Sequence, residues 1–272
     1  MSSKHISSNS EYIHFAIKLA KKAGKIQMSY FGKLKSIQSK STNIDLLSNA
    51  DIESERYIVS EIKNKYPTHS IITEESSNII QSSDYKWIID PLDGTTNFVH
   101  SLPIFAVSIA LMKNNKTICG VVYNPAADKC FHALKDNGAF LNNHSISTTS
   151  CNTLSESLLV TGFPYTHDKK YNMLFTIFKD FYDSTRGVRR LGAAALDLCF
   201  VAMGRFDGFY EYGLNSWDIC AGSLIVQEAG GIVCDWDGNK VNYNGSRILA
   251  SNQNINNEMI GVLTKNEYSL FF

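Results

Sequence analysis

Trp87-Ile88-Ile89-Asp90-Pro91-Leu92-Asp93-Gly94-Thr95-Thr96-Asn97-Phe98 is the stretch on which the reading of this 272-residue chain turns. Three apolar residues predict a strand driven into a core, and two aspartates follow at its end. Pro91 fixes φ between them, so the turn is stiff, and Asp90 and Asp93 can converge on one point with the Leu92 carbonyl. Oxygen ligands clustered in this way suit a hard cation such as Mg²⁺. Two carboxylates at the end of a buried strand repel each other, and a cation removes that cost. Gly94-Thr95-Thr96 then opens a helical turn whose N–H groups and hydroxyls suit a phosphate. Cation ligands beside phosphate donors are what metal-assisted hydrolysis of a phosphate ester requires. An Asp-Pro-x-Asp-Gly turn alone is common loop chemistry. The strand before it and the two threonines after it give it weight.

Two further acidic positions lie outside this stretch. Glu74-Glu75 directly follow the apolar strand Ser70-Ile71-Ile72-Thr73, so one of them can face the site while the other points away. Asp218, beside Trp217, opens a run that is apolar and rich in small residues as far as Gly231. An aspartate in a first helical turn is by default a cap. A helix this apolar is buried, which suggests a ligand supplied from a second lobe.

The rest of the pattern mixes helices and strands. Ile13, Ile17, Ala20, Gly24 and Phe31 at helical spacing predict an amphipathic helix over about 10–31. A second is expected over about 50–65, with Ile52, Val59 and Ile62 on its inner face. Residues 70–73 and 85–89 read as strands, and 105–112, 117–123 and 130–134 as a meander. Residues 157–161 predict another strand, 194–203 a helix entered through Gly192, and Gly230-Gly231 the left-handed end of the helix begun at Trp217. No regular βαβ rhythm appears, so the expected class is α+β in layers. Lobes of approximately 1–150 and 151–272 are expected within one domain.

Composition excludes several classes. Hydrophobic residues make up 44% and charged residues 19%, as in ordinary globular proteins. Lys+Arg and Asp+Glu both number 26, so nothing in the total charge favours direct nucleic-acid binding. No apolar run approaches the roughly 20 residues of a membrane span. The polar N-terminus lacks the apolar region of a signal peptide. The six cysteines, at 119, 130, 151, 199, 220 and 234, form no CxxC pair. Reduced cysteines in a cytoplasmic protein are the expectation. The seven histidines read as surface or packing residues.

Taken together, Glu74-Glu75-Ser76, Trp87 through Thr96, and Trp217 through Gly231 resemble the inositol monophosphatase family, most closely the bacterial inositol-1-monophosphatases. The resemblance continues through Gly192-Ala193-Ala194-Ala195-Leu196-Asp197 and Asp207-Gly208-Phe209-Tyr210-Glu211, and upstream through Lys40 and Asp45 to Asp51. It implies an αβαβα sandwich with the site between two lobes. Carried over, Glu74, Asp90 and the Leu92 carbonyl hold a first Mg²⁺, and Asp90, Asp93 and Asp218 a second; Glu74 helps with a loosely bound third. Thr95, oriented by Asp51, works with Glu74 to position and deprotonate the attacking water. Gly94, Thr95 and Thr96 hold the phosphate, while Asp93, Ala194, Glu211 and Asp218 touch the hydroxyls of the alcohol portion. Lys40 and Asp45 fall near the site.

The implied activity is Mg²⁺-dependent hydrolysis of myo-inositol 1-phosphate, by a homodimer inhibited by lithium. The same chemistry serves histidinol phosphate, fructose 1,6-bisphosphate or a nucleotide 3′-phosphate. Some bacterial relatives also assist transcription complexes. Ala193 stands where the family often has Ser or Thr, and Cys220 where Ala is common. Leu214-Asn215-Ser216, bordering the alcohol pocket, is variable ground.

Overall fold

In the computed structural model the backbone is described for residues 3–33, 38–39, 46–47, 49–75, 78–165, 170–243, 247–265 and 268. The first half comprises α1 (Ser3–Tyr30), β1 (Gln38–Ser39), β2 (Leu46–Leu47), α2 (Asn49–Lys65), β3 (Ser70–Thr73), β4 (Tyr85–Asp93), α3 (Thr95–Val99), β5 (Ala106–Lys113), β6 (Lys116–Asn124), β7 (Lys129–Leu134), β8 (Ala139–Leu141) and β9 (His144–Ile146). The second comprises β10 (Leu158–Thr161), α4 (Tyr171–Ser184), β11 (Gly187–Arg189), α5 (Ala194–Ala202), β12 (Gly208–Tyr212), α6 (Ser216–Glu228), β13 (Ile232–Cys234), β14 (Arg247–Ser251) and α7 (Asn256–Leu263).

Strands β3 to β9 form a seven-stranded sheet in sequence order, with β3 parallel to β4 and every later neighbour antiparallel. A five-stranded sheet runs β11-β10-β12-β14-β13. Both sheets are covered on two faces, which is why their strands read as nearly continuous apolar runs. Period-two alternation sorts the side chains between layers. Trp87, Ile89, Val107, Ile109 and Leu111 face α1 and α2, whereas Ile88, Ala106, Ala110 and Met112 face α5 and α6. In the smaller sheet Val160, Phe209, Ile248 and Ala250 meet that same central helical layer. Leu159, Tyr210 and Leu249 pack instead on α4 and α7. The order is helices, sheet, helices, sheet, helices: the layered α+β sandwich.

Three local expectations need correction. Helix α1 begins at Ser3, ahead of its apolar stripe. The inner face of α2 carries Ala50, Asp51, Ser54, Glu55, Ile58 and Ile62, while Ile52 is 36% exposed. Hydrophobicity misassigned that face because α2 points two carboxylates inward. Finally, Asp90 to Asp93 do not follow the strand as a turn. They form its last residues, with a register irregularity between Asp90 and Asp93 against β5. Pro91, which cannot donate to the ladder, sits inside that irregularity.

Candidate active site

Strands β3 and β4 run parallel with Thr73 opposite Ile89, which brings Glu74 level with Asp90. Asp90 is 2% exposed, and its Oδ1 accepts the Leu92 N–H at 2.9 Å. The Leu92 carbonyl accepts the Thr95 hydroxyl at 3.0 Å, while Pro91 O accepts Nε2 of buried Gln27, from α1, at 2.6 Å. Gly94 next turns the chain with φ of 86°, and a Cβ there would stand 2.9 Å from Ile104 O. A left-handed conformation and a crowded backbone both demand glycine at that point. Asn97, one turn on, donates to the carbonyls of Ile104 and Leu191, each at 2.8 Å, joining this segment to the entrance of α5.

The second half brings three more pieces. The Ala195 N–H, in the first turn of α5, donates to Asp93 Oδ2 at 2.8 Å. Asp218 begins α6 and accepts the Asn215 N–H on Oδ2 at 2.7 Å, so it is both a cap and a wall of the site. Ser108 of β5 donates to Trp217 O at 3.2 Å, tying that helix start to the larger sheet. Glu211, on β12, is 8% exposed.

These residues line one cleft of about 320 Å³. Glu74, Asp90, Leu92, Asp93, Gly94, Thr95, Thr96, Ala194, Glu211 and Asp218 all border it, so ten of the eleven residues expected to serve catalysis, metal or substrate come together. Asp51 does not line it: fully buried at the start of α2, it adds to the negative field at Asp90. Glu75 stays off the cleft, its N–H donating to Glu55 Oε2 at 3.1 Å. Lys40 and Asp45 lie outside the described residues. Phe163, Tyr165, Arg190 and Tyr212 also line the cleft, and no local motif marks them. None of the described histidines or cysteines borders it.

The electrostatics are those of crowded acids. Burial pushes Asp90 well above the usual carboxylate range, and the charges of Glu74, Asp93, Asp218 and Asp51 push it further. Burial raises Asp93 to about 7, although N–H groups of α5 oppose the shift. Asp218 rises to about 7 and Glu211 to about 8, burial again being the main cause. Arg190 is the nearby cation that partly relieves Glu211. Backbone N–H groups hold all three aspartates in place: Leu92 on Asp90, the first turn of α5 on Asp93 and Asn215 on Asp218. Among the described residues no three acidic, histidine or cysteine side chains stand close enough together, as placed, to hold an ion. The donor set itself, carboxylates and a carbonyl without nitrogen or sulfur, fits Mg²⁺.

A family model described as the inositol monophosphatase family matches residues 8–267. The chain is 41% identical over 251 residues to the Nus factor SuhB of Pasteurella multocida, covering 91% of this chain and 94% of that protein. It is 42% identical over 249 residues to an inositol-1-monophosphatase of Synechocystis, covering 91% and 87% respectively. Among solved structures, the extragenic suppressor protein suhB of Bartonella henselae matches with a TM-score of 0.90 at 36% identity, covering 94% of this chain and 99% of that one.

Proposed function

Because the chain belongs to the inositol monophosphatase family, we propose that it is a Mg²⁺-dependent phosphomonoesterase acting on myo-inositol 1-phosphate. The observation that carries this reading is the single cleft shared by Glu74, Asp90, Asp93, Asp218, the Gly94–Thr96 turn and Glu211. Glu74, Asp90, the Leu92 carbonyl, Asp93 and Asp218 are the donors for the cation. When bound, Mg²⁺ neutralises charge on a phosphoryl group and lowers the pKa of water.

The chain's own groups supply positioning, which phosphoryl transfer needs more than covalent help. The first N–H groups of α3 lack intrahelical acceptors and offer themselves, with the Thr95 and Thr96 hydroxyls, to phosphate oxygens. Thr95 and Glu74 orient the attacking water, and Glu74 takes its proton. Asp51 orients Thr95 in this reading, and its charge adds to the negative field at Asp90. Asp93, Ala194, Glu211 and Asp218 face the alcohol, where Glu211 accepts a hydroxyl proton. A homodimer, a cytoplasmic setting and inhibition by lithium belong to the same proposal.

Phosphate release from inositol, sugar, histidinol and nucleotide esters, each with Mg²⁺ and with EDTA, tests it. Mg²⁺-dependent preference for inositol 1-phosphate is the expected result. Preference for histidinol phosphate, fructose 1,6-bisphosphate or a nucleotide 3′-phosphate would overturn the substrate and keep the chemistry. The relatives named as Nus factors favour a second reading, an added role on the transcription machinery. Co-purification with polymerase components that survives Asp93→Asn supports that role, and its absence argues against it.

A further inference from the structure

Four glycines border the cleft, and three of them are explained by backbone conformation: Gly94, Gly192 and Gly213 have φ of 86°, 83° and 90°. Gly162 is different. Its φ lies outside the left-handed region, so any L-residue could adopt its backbone. What a side chain there would meet is Glu211. An added Cβ would lie 2.2 Å from Glu211 Oε1 and 2.4 Å from both Cδ and Oε2. The cause is strand register. Strands β10 and β12 pair in parallel with Thr161 beside Tyr210, so the next step sets Gly162 beside Glu211. The Thr161 hydroxyl donates to Tyr210 O at 2.5 Å and holds that register. With no side chain at 162, the Glu211 carboxyl lies across the neighbouring strand, facing the cleft.

We propose that Gly162 is a positioning residue for the alcohol portion of the substrate: its bare Cα is the seat on which Glu211 places its carboxylate. This rests on reading Glu211 as a contact to substrate hydroxyls. A methyl group at 162 needs about 3.4 Å of clearance, so the carboxyl must retreat by about 1.2 Å. The clashing atoms are the far end of a flexible side chain, so the strands keep their geometry and Glu211 gives way.

Two measurements test the idea. The first is independent of substrate: a thermal double-mutant cycle of Gly162→Ala and Glu211→Ala. Gly162→Ala lowers Tm when Glu211 is present. With Glu211→Ala it becomes neutral or stabilising, because only the gain from a less flexible unfolded chain remains. Equal effects in both backgrounds would overturn the contact. The second is kinetic. In Gly162→Ala, kcat/KM for myo-inositol 1-phosphate falls by about 10- to 100-fold, mostly through KM, since a shift near 1 Å at a positioning group has that scale. Hydrolysis of p-nitrophenyl phosphate, which has no further hydroxyl, changes less than about twofold. Glu211→Asp, one methylene shorter, lowers inositol phosphate turnover alone and raises it again in the Gly162→Ala background. Thermal coupling without this split between esters, or equal loss on both, overturns the positioning role. Unchanged turnover in Glu211→Gln would overturn the reading of Glu211 itself, and the thermal cycle keeps that failure separate.

Discussion

Asp93→Asn should stabilise the metal-free protein while destroying its activity, and the two effects share one cause. Burial raises the Asp93 pKa to about 7, roughly three units above the ordinary aspartate value of about 3.9. The folded chain therefore holds this proton more tightly than the unfolded chain does. Between about pH 4 and 7 it carries more protons, so stability falls as pH rises through that window. Above about pH 7 the ionised carboxylate costs on the order of 4 kcal/mol, at ~1.4 kcal/mol per unit. Asparagine removes the charge and keeps an oxygen to accept the Ala195 N–H, so most of that cost disappears with the local geometry intact. Relief of only ~1 kcal/mol shifts Tm upward by ~2–4 °C in a chain of this size. Thermal melts in EDTA at about pH 5 and about pH 8 read the effect: wild type loses stability on going to the higher pH, and the variant loses less. With Mg²⁺ restored, turnover of inositol 1-phosphate falls at least ~100-fold, since even groups behind a ligand cost 10- to 100-fold when lost. A variant less stable than wild type at the higher pH without metal would refute the electrostatic reasoning, and retained turnover would refute the place of Asp93 among the ligands.

Mg²⁺ should raise the wild-type Tm more at about pH 8 than at about pH 5, because ligands must be deprotonated to bind a cation and Asp93 and Asp218 both titrate near 7; an equal rise at both would count against cation binding at these groups. Gln27→Leu strips Pro91 O of its buried donor, costing ~1–3 kcal/mol. Titrating activity with Mg²⁺ should show weaker apparent metal affinity and a near-normal rate at saturation; unchanged affinity would mean that the Pro91-Leu92 segment needs no support from α1. In Gly120→Ala the new Cβ meets the α6 backbone, 2.8 Å from Ala221 O, and overpacking of this kind costs ~1–3 kcal/mol. Denaturant melts should show the loss, and a drop in kcat beyond it would report displacement of Asp218 with its helix.

The lining of the cleft was legible wherever it is local. Asp90, Leu92, Asp93, Gly94, Thr95 and Thr96 lie within seven consecutive residues, so chain connectivity alone keeps them together in the cleft. Five of the seven strands of the larger sheet were legible because apolar runs and turns succeed one another along the chain, whereas β8 and β9, three residues each, are too short to show a pattern. Asp218 could be read because an acid opening an apolar helix conflicts with burial unless something compensates it. The face of α2 could not be read from hydrophobicity, since its inward residues include Asp51 and Glu55, and the reason for their burial lies in other segments.

Composition, periodicity and short motifs thus determined by themselves the α+β class, most elements of the first half and the acidic segment at the end of β4, because each depends on neighbours a few residues apart. Only the tertiary structure decided that Gln27 supports Pro91, that the N-terminal turn of α5 holds Asp93, that Asn97 joins the two sequence halves, and that Gly162 seats Glu211. The residues of each pair lie some 50 to 100 positions apart. Their meeting depends on strand register and on which helix face the sheets bury, and neither is written in the spacing of any one segment.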